Sequence, residues 1–382
     1  MSIFLPKPIK YCISMLENHG FECYCVGGAV RDSLMGINPT DYDITTNAMP
    51  QEIIGLFSKT IPTGIKQGTV TVIIDDFNIE VTTYRNDGNY SNNRSPDNVS
   101  FVSNIENDLS RRDFTINAIC YNPKNGIYDP LNGCLDIKNK IIRAIGNPDI
   151  RFSEDALRII RAFRFSSQLN FSIENNTKTS ALKNSDLLKN ISVERIYIEL
   201  KKAFLSENPQ NFSPLMLSSA LNFLGIPEIE IPTEIKNAPK NFALRFAIFC
   251  KNANINTENV LKELKCDNKT IIASTNFQYM LNLKYDFNRF NIKKLLNMFD
   301  LELVSIYLKF INNQKYLDEL TDILLKNEAY NLSMLNIDGN DLIDIGIEGK
   351  NIGLMLNKLL DTCIMHPEYN NKEKLKELLK NI

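Results

Sequence analysis

Residues 26–43 open with Val26-Gly27-Gly28-Ala29-Val30-Arg31-Asp32 and reach, nine positions after Asp32, Asp41-Tyr42-Asp43. The run Glu22–Val26 is strand-like, ends in Gly27-Gly28, and passes into a helical pattern that stops at Leu34 and Gly36. A strand that turns into a helix through two glycines lets backbone N–H groups approach a phosphate with no Cβ in the way, at the positive end of a helix dipole. A second short run, Tyr42–Ile44, carries Asp41 and Asp43 at i and i+2. On a strand that spacing puts both carboxylates on one face, about 6–7 Å apart along the chain. Such a pair suits small, hard cations, which take oxygen ligands and activate an attacking hydroxyl while pyrophosphate leaves.

Working outward, a helix is predicted near Ile9–Asn18 and another near Pro50–Phe57, with strand-like runs at Thr69–Ile74 and Phe77–Tyr84. Asp75-Asp76 between those runs reads as a hairpin turn. In Asn78-Ile79-Glu80-Val81-Thr82, period-2 alternation turns Glu80 away from its apolar neighbours, and it is expected to support the Asp pair as a third carboxylate. Residues 1–140 therefore read as an α/β head with a small mixed sheet. After about Asn139 the strand signals fade and helical patterns dominate, including Glu154–Leu169 and Ser192–Leu205. Ser153 before Glu154-Asp155 and Ser192 before Val193-Glu194 resemble N-terminal caps with acid in the first turn. Divided this way, the chain has a head at 1–140 and helical segments at 141–205, 206–290 and 291–382.

The 382 residues carry 43 Lys and Arg against 45 Asp and Glu, a formal net charge of −2. That balance conceals a division, since the nets over residues 1–140, 141–205 and 206–382 are −4, +4 and −2. An acidic unit beside a basic one suits a metal-dependent enzyme acting on a polyanion. No stretch approaches the roughly 20 apolar residues of a bilayer crossing, and the start lacks the features of a signal peptide. The expectation is a soluble, cytoplasmic protein. Its eight Cys show no paired CxxC spacing and read as reduced, buried thiols.

Two further stretches carry charge in patterns. In Arg111-Arg112-Asp113-Phe114-Thr115-Ile116-Asn117-Ala118 the guanidiniums suit triphosphate oxygens, while Asp113 or Asn117 suits ribose hydroxyls. In Ser153-Glu154-Asp155-Ala156-Leu157-Arg158-Ile159-Ile160-Arg161-Ala162-Phe163-Arg164, a continuous helix makes Asp155 and Arg158 neighbours, with Arg161 and Arg164 continuing the row. A carboxylate beside a guanidinium forms an acceptor–donor edge that complements cytosine and adenine and leaves uracil and guanine mismatched.

In order and spacing, GGAVRD, DYD, EVTTYR, RRDFTINA, DPLNGCLDIKNKIIRAIGNPDIRF, EDALRIIRAFRF and SVERIYIEL resemble the class II tRNA nucleotidyltransferases, the CCA-adding enzymes, in the superfamily that includes bacterial poly(A) polymerases. The resemblance covers residues 20–200 closely. It implies a polymerase-β-like nucleotidyltransferase head followed by an all-α neck, body and tRNA-binding tail. It implies Mg²⁺ on Asp41 and Asp43 with Glu80 in support, and CTP, ATP and a tRNA 3′ end as substrates. Gly27, Gly28, Arg31, Asp32, Arg112, Asp113 and Asn117 are expected at the nucleotide. Asp155 and Arg158 are expected to form the protein template, with Glu154 also at the nucleotide and Arg161 and Arg164 helping to hold it. Residues 87–96 resemble the family's flexible loop, with Asn92 where an Asp is usual and Ser95 where a second Arg is usual. An enzyme that adds only the terminal A, a poly(A) polymerase and a silent RNA-binding protein are the rival expectations.

Overall fold

Every residue of β1 (Cys23–Val26) is buried, and the alternation of the strand decides what covers each face. Cys23 and Cys25 join a core with Ile9, Ile13 and Leu16, while Tyr24 and Val26 join another with Leu109, Ala118 and Cys120. The structure, a computed structural model, describes residues 3–88, 98–284 and 288–380. In chain order the strands continue with β2 (Asp43–Thr46), β3 (Thr60–Gly64), β4 (Thr69–Ile74), β5 (Phe77–Thr83), the short ribbon β6 (Arg85–Asp87) and β7 (Val99–Phe101), β8 (Cys120–Asn122) and β9 (Gly126–Tyr128). Seven of them form one sheet in the order β3-β4-β5-β2-β1-β8-β9. Its pairings are antiparallel except β2 with β5, which is parallel, so the sheet is mixed as expected.

Asp75-Asp76 is the turn between β4 and β5, with Asp75 in the left-handed region at φ 53° and Ile74 opposite Phe77. Strand β3 escapes sequence reading because it is a largely exposed edge strand holding Pro62 and Gly64, with no apolar alternation. The helices of this part are α1 (Lys7–Asn18), α2 (Gly28–Leu34), α3 (Pro50–Leu56), α4 (Ile105–Ser110), α5 (Gly133–Asn139), α6 (Pro148–Glu154), α7 (Leu157–Leu169), α8 (Asn175–Lys183) and α9 (Val193–Phe204). At the start of α5, a Cβ on Gly133 would lie 2.3 Å from the Thr115 carbonyl oxygen, so only glycine fits against the turn that carries Asn117.

The expected helix over 154–169 is interrupted. Helix α6 ends at Glu154, Asp155 is extended at φ −133° and ψ 102°, and α7 starts at Leu157. Ser153 is no cap, since it lies inside α6, which is started instead by the Asn147 side chain and Pro148. Asp155 accepts from the Leu157 N–H at 3.1 Å, turning the second helix start into its own local structure.

The chain divides into two compact units, residues 1–231 with 263–266, and residues 232–262 with 267–382. The second is helical, built around Phe242, Phe246 and Phe249 on one helix and, further on, Leu342, Leu359, Leu360, Cys363 and Leu375. Its fully buried Lys293 is compensated by Glu328 at 3.0 Å. All eight cysteines are free thiols and seven are buried, which pushes Cys12, Cys25 and Cys250 up to about 12. Among the described residues no helix is long and apolar enough to cross a membrane.

Candidate active site

The parallel pairing of β2 with β5 sets Asp43 directly opposite Glu80. Asp41 lies two residues before Asp43, and the buried Tyr42 between them anchors the segment so that both carboxylates stay outside the core. Glu80 is exposed between buried Ile79 and Val81, the alternation read from the sequence. The Asp43 carboxyl is held above the usual carboxylate range: surrounding protein desolvates it, Glu80 and Asp41 add like charge, and Arg112 opposes them only in part. Among the described residues no three His, Cys, Asp or Glu side chains form a ready-made ligand set. Mg²⁺ is commonly held by one or two carboxylates together with substrate phosphates, and an oxygen pair under mutual repulsion fits that requirement.

A cavity of about 510 Å³ opens on one side of Asp41 and Asp43, lined by Gly27, Gly28, Arg31, Asp32, Arg112, Asp113, Asn117, Arg161 and Arg164 among others. Gly27 has φ 77°, and a Cβ there would face Arg112 Nη1 at 3.5 Å and Asp43 Oδ2 at 3.9 Å. A chain of side chains fixes the guanidiniums. Arg31 Nη1 donates to Asn117 Oδ1 at 2.6 Å, Asn117 Nδ2 donates to Asp113 Oδ1 at 3.0 Å, and Arg161 donates twice to Asp113 Oδ2. Burial would raise the Asp113 carboxyl, but Arg161, Asn117 and the Phe114 N–H carry it well below the ordinary range. Arg164 is pulled down to about 10 by burial, against the pull of Glu199 at 2.5 Å.

Other expected residues are held mainly by one another. Asp113 and Asn117 line the cavity, but their hydrogen bonds are spent on organising arginines. Arg111 is absent from the lining; it is bound to Asp108 at 2.7 Å and stands 3.8 Å from Asp87. Glu154, Asp155 and Arg158 line neither this cavity nor the one described next. Asp155 is extended and lies outside both helices, joined to Arg158 by a turn in which its carbonyl accepts from the Arg158 N–H at 3.0 Å. Arg158 is buried and donates to Glu154 at 2.8 Å, to the Arg151 carbonyl at 3.1 Å and to the Arg111 carbonyl at 2.8 Å. Asn92 and Ser95 lie outside the described residues.

Other site residues were not read from the sequence. Phe165 has the Arg164 guanidinium 3.6 Å from its ring centroid, with Arg31 and Arg161 at 5.1 and 5.2 Å. Gln168, one turn beyond Arg164, accepts a hydrogen bond from it, and Thr40 and Lys202 also line the cavity. The RAFRF run holds the signal for Phe165, which stands four residues after Arg161 and so shares its helix face. A second cavity of about 510 Å³ opens on the other side of the same Asp pair, lined by Tyr42, Ile61, Thr63, Thr71, Asn78 and Glu80, with no basic residue.

Residues 23–143 match the Poly A polymerase head domain, and residues 170–230 match the probable RNA and SrmB-binding site of polymerase A. The chain is similar to the CCA-adding enzyme of Ligilactobacillus salivarius, 35% identical over 99% of this chain and 98% of that one. The CCA-adding enzyme of Staphylococcus epidermidis is 38% identical over 76% of each chain. Among solved structures, the Bacillus stearothermophilus CCA-adding enzyme in complex with CTP matches with a TM-score of 0.85 at 27% identity, covering 99% of both chains.

Proposed function

The chain belongs to the CCA-adding enzyme family, and on that premise we propose that it adds CCA to the 3′ end of tRNA from CTP and ATP, without a nucleic-acid template, releasing pyrophosphate. The observation that carries this reading is the position of Asp41 and Asp43 between two cavities of opposite character. The nucleoside triphosphate enters the basic one, where Arg31, Arg112, Arg161, Arg164 and Lys202 meet its phosphates. Forked guanidiniums bind phosphate oxygens in pairs, which fixes orientation as well as charge. The RNA end enters the other, which offers Ile61, Thr63, Thr71 and Asn78 to a ribose and base. Its 3′-hydroxyl then meets the α-phosphate beside the two carboxylates, and pyrophosphate leaves on the basic side. Asp41 and Asp43 would hold Mg²⁺, which when bound would supply Lewis-acid chemistry for hydroxyl attack and charge neutralisation for the departing pyrophosphate. Glu80 supports the pair from the neighbouring strand.

Base selection is assigned to Asp155 and Arg158 by the resemblance of the EDALRIIRAFRF motif alone, since in the structure neither lines either of the two cavities and Glu154 holds Arg158. Residues 1–140 act as the catalytic head, 141–205 as the selecting neck, 206–290 as the body and 291–382 as the tRNA-binding tail. Maturation of tRNA puts the protein in the cytoplasm. A second reading, addition of A alone or of poly(A), is favoured only by the match of residues 23–143 to a poly A polymerase head. Incubation of the purified protein with tRNA ending before CCA, or after CC, followed by sequencing of the products, separates these outcomes. A CCA end supports the first reading, an A tract or A alone the second, and no incorporation by the wild type a silent RNA-binding protein. Asp41→Ala and Asp43→Ala should abolish incorporation of both nucleotides while leaving tRNA binding largely intact.

A further inference from the structure

Asp108 lies near the end of α4 with none of its surface exposed. Its Oδ1 accepts from Arg111 Nε at 2.9 Å and Nη2 at 2.7 Å, and its Oδ2 accepts from Arg112 Nη2 at 3.2 Å and Thr45 Oγ1 at 3.0 Å. A carboxylate has about four acceptor positions, so this one is fully used. Thr45 is two residues beyond Asp43 on β2, so the group that holds Arg112 is pinned to the strand that carries Asp43.

Arg112 has two carboxylates within its range. Its ion pair is with Asp108, while its Nη1 and the Asp43 Oδ2 flank the same point beside Gly27. The Arg112 Nε is buried and has no hydrogen-bond partner, so the contact with Asp108 is its tether on the protein side. We propose that Asp108 is a positioning residue that holds Arg112 off Asp43, keeping the Asp41–Asp43 pair open to a divalent cation and leaving Arg112 Nη1 facing Gly27. The inference rests on the reading of Asp41 and Asp43 as the cation-holding pair. An uncharged residue at 108 releases the guanidinium toward the next carboxylate, Asp43, where it occupies the position of the cation. Arg112 is then a competitor for the cation rather than a partner of the nucleotide phosphates.

The test uses Mn²⁺ as the probe, titrated into the full-length protein without nucleotide and followed by the electron paramagnetic resonance of the free ion. The variants are Asp108→Asn, Arg112→Gln and the two combined, with Asp41→Asn/Asp43→Asn to identify the site. Asp108→Asn should weaken Mn²⁺ binding about tenfold, Arg112→Gln should stay within about twofold of the wild type, and the double variant should return to within about threefold of Arg112→Gln. Strictly additive effects, with the double variant as weak relative to Arg112→Gln as Asp108→Asn is to the wild type, would mean that Asp108 acts only through its own charge, and the inference falls. If Asp108→Asn does not fold, Arg112→Gln decides alone. Unchanged binding supports a guanidinium already held away, and a tightening of about fivefold or more overturns it. A wild type with no Mn²⁺ site sensitive to Asp41→Asn/Asp43→Asn removes the cation reading itself, and the inference with it.

Discussion

Asp113 grips Arg161 across 48 residues of sequence, its Oδ2 taking Nε at 2.9 Å and Nη2 at 2.6 Å. The same carboxylate reaches Arg31 through Asn117, so one acidic group ties together two guanidiniums of the cavity lining. Asp113→Asn leaves Arg161 only the longer 4.0 Å pairing with Glu199, and the expected cost is about 3 kcal/mol, the lower end for a broken buried pair because Arg161 is partly exposed and keeps that second carboxylate. Urea unfolding measures it, and a loss below about 1 kcal/mol would contradict the assignment.

Acid should act through the same group. Asp113 and Asp108 both have carboxyls held below their ordinary range, so their contributions are present above the unfolded value near ~4 and are lost as pH falls through the folded values. The melting temperature should therefore drop as pH is lowered below about 4. In Asp113→Asn the fall should be shallower than in the parent, and an identical slope would argue against it.

Asp43 carries the opposite sign. Its carboxyl is held above the ordinary range, first by desolvation, so its protonated form is favoured in the fold; the stability it contributes is present below about pH 4 and is lost as pH rises through the elevated value. Asp43→Asn should consequently melt no lower than the wild type at pH 7 although nucleotide incorporation is lost. Calorimetry without divalent cation, alongside single-turnover assays, checks both halves; a strongly destabilised variant would assign Asp43 a structural role.

The Phe165 ring has three guanidiniums within 5.2 Å of its centroid. Phe165→Leu keeps the apolar bulk and removes the π face, so the arginines should spread and the KM for CTP rise about fivefold, equivalent to roughly 1 kcal/mol. A change confined to kcat would place the ring's influence elsewhere.

Asp155→Ala should relax discrimination against UTP, because the acceptor half of the proposed base-reading edge is gone. The same change removes the 3.1 Å bond to the Leu157 N–H, for which a cap loss of about 1 kcal/mol is expected. Competition between CTP and UTP at equal concentration separates the two effects; unchanged discrimination would refute the template role.

Much of this arrangement was legible because it is local. The strand–Gly-Gly–helix turn and the outward faces of Asp43 and Glu80 follow from periods of two and from the steric freedom of glycine, whereas Asp41 precedes β2 rather than lying on it. What stayed hidden depends on elements distant in sequence meeting in space. Asp108, in a short helix with ordinary composition, shows its importance only when Thr45, Arg111 and Arg112 converge on it. The break at Asp155 was masked because 154–169 has a helical pattern throughout, while the decision rests on a competing local bond from the Asp155 side chain to the backbone. The sorting of arginines between Asp113, Glu199 and Asp108 likewise follows from tertiary placement that no linear spacing specifies.

The single parallel pairing in the sheet, β2 beside β5, has a consequence for how such chains can vary. Parallel neighbours cannot be joined by a tight turn, so the polypeptide between them must detour, here through α3, β3 and β4. The distance between Asp43 and Glu80 in the folded protein is set by one rung of the ladder, whereas their separation along the chain is set by the detour. Insertions or deletions in the detour's surface bends can thus accumulate without displacing either acid. A slip of one rung would turn Glu80 into the core and Val81 out of it. The hydrocarbon behind the sheet, rather than the charges in front of it, is therefore what keeps the acids in register.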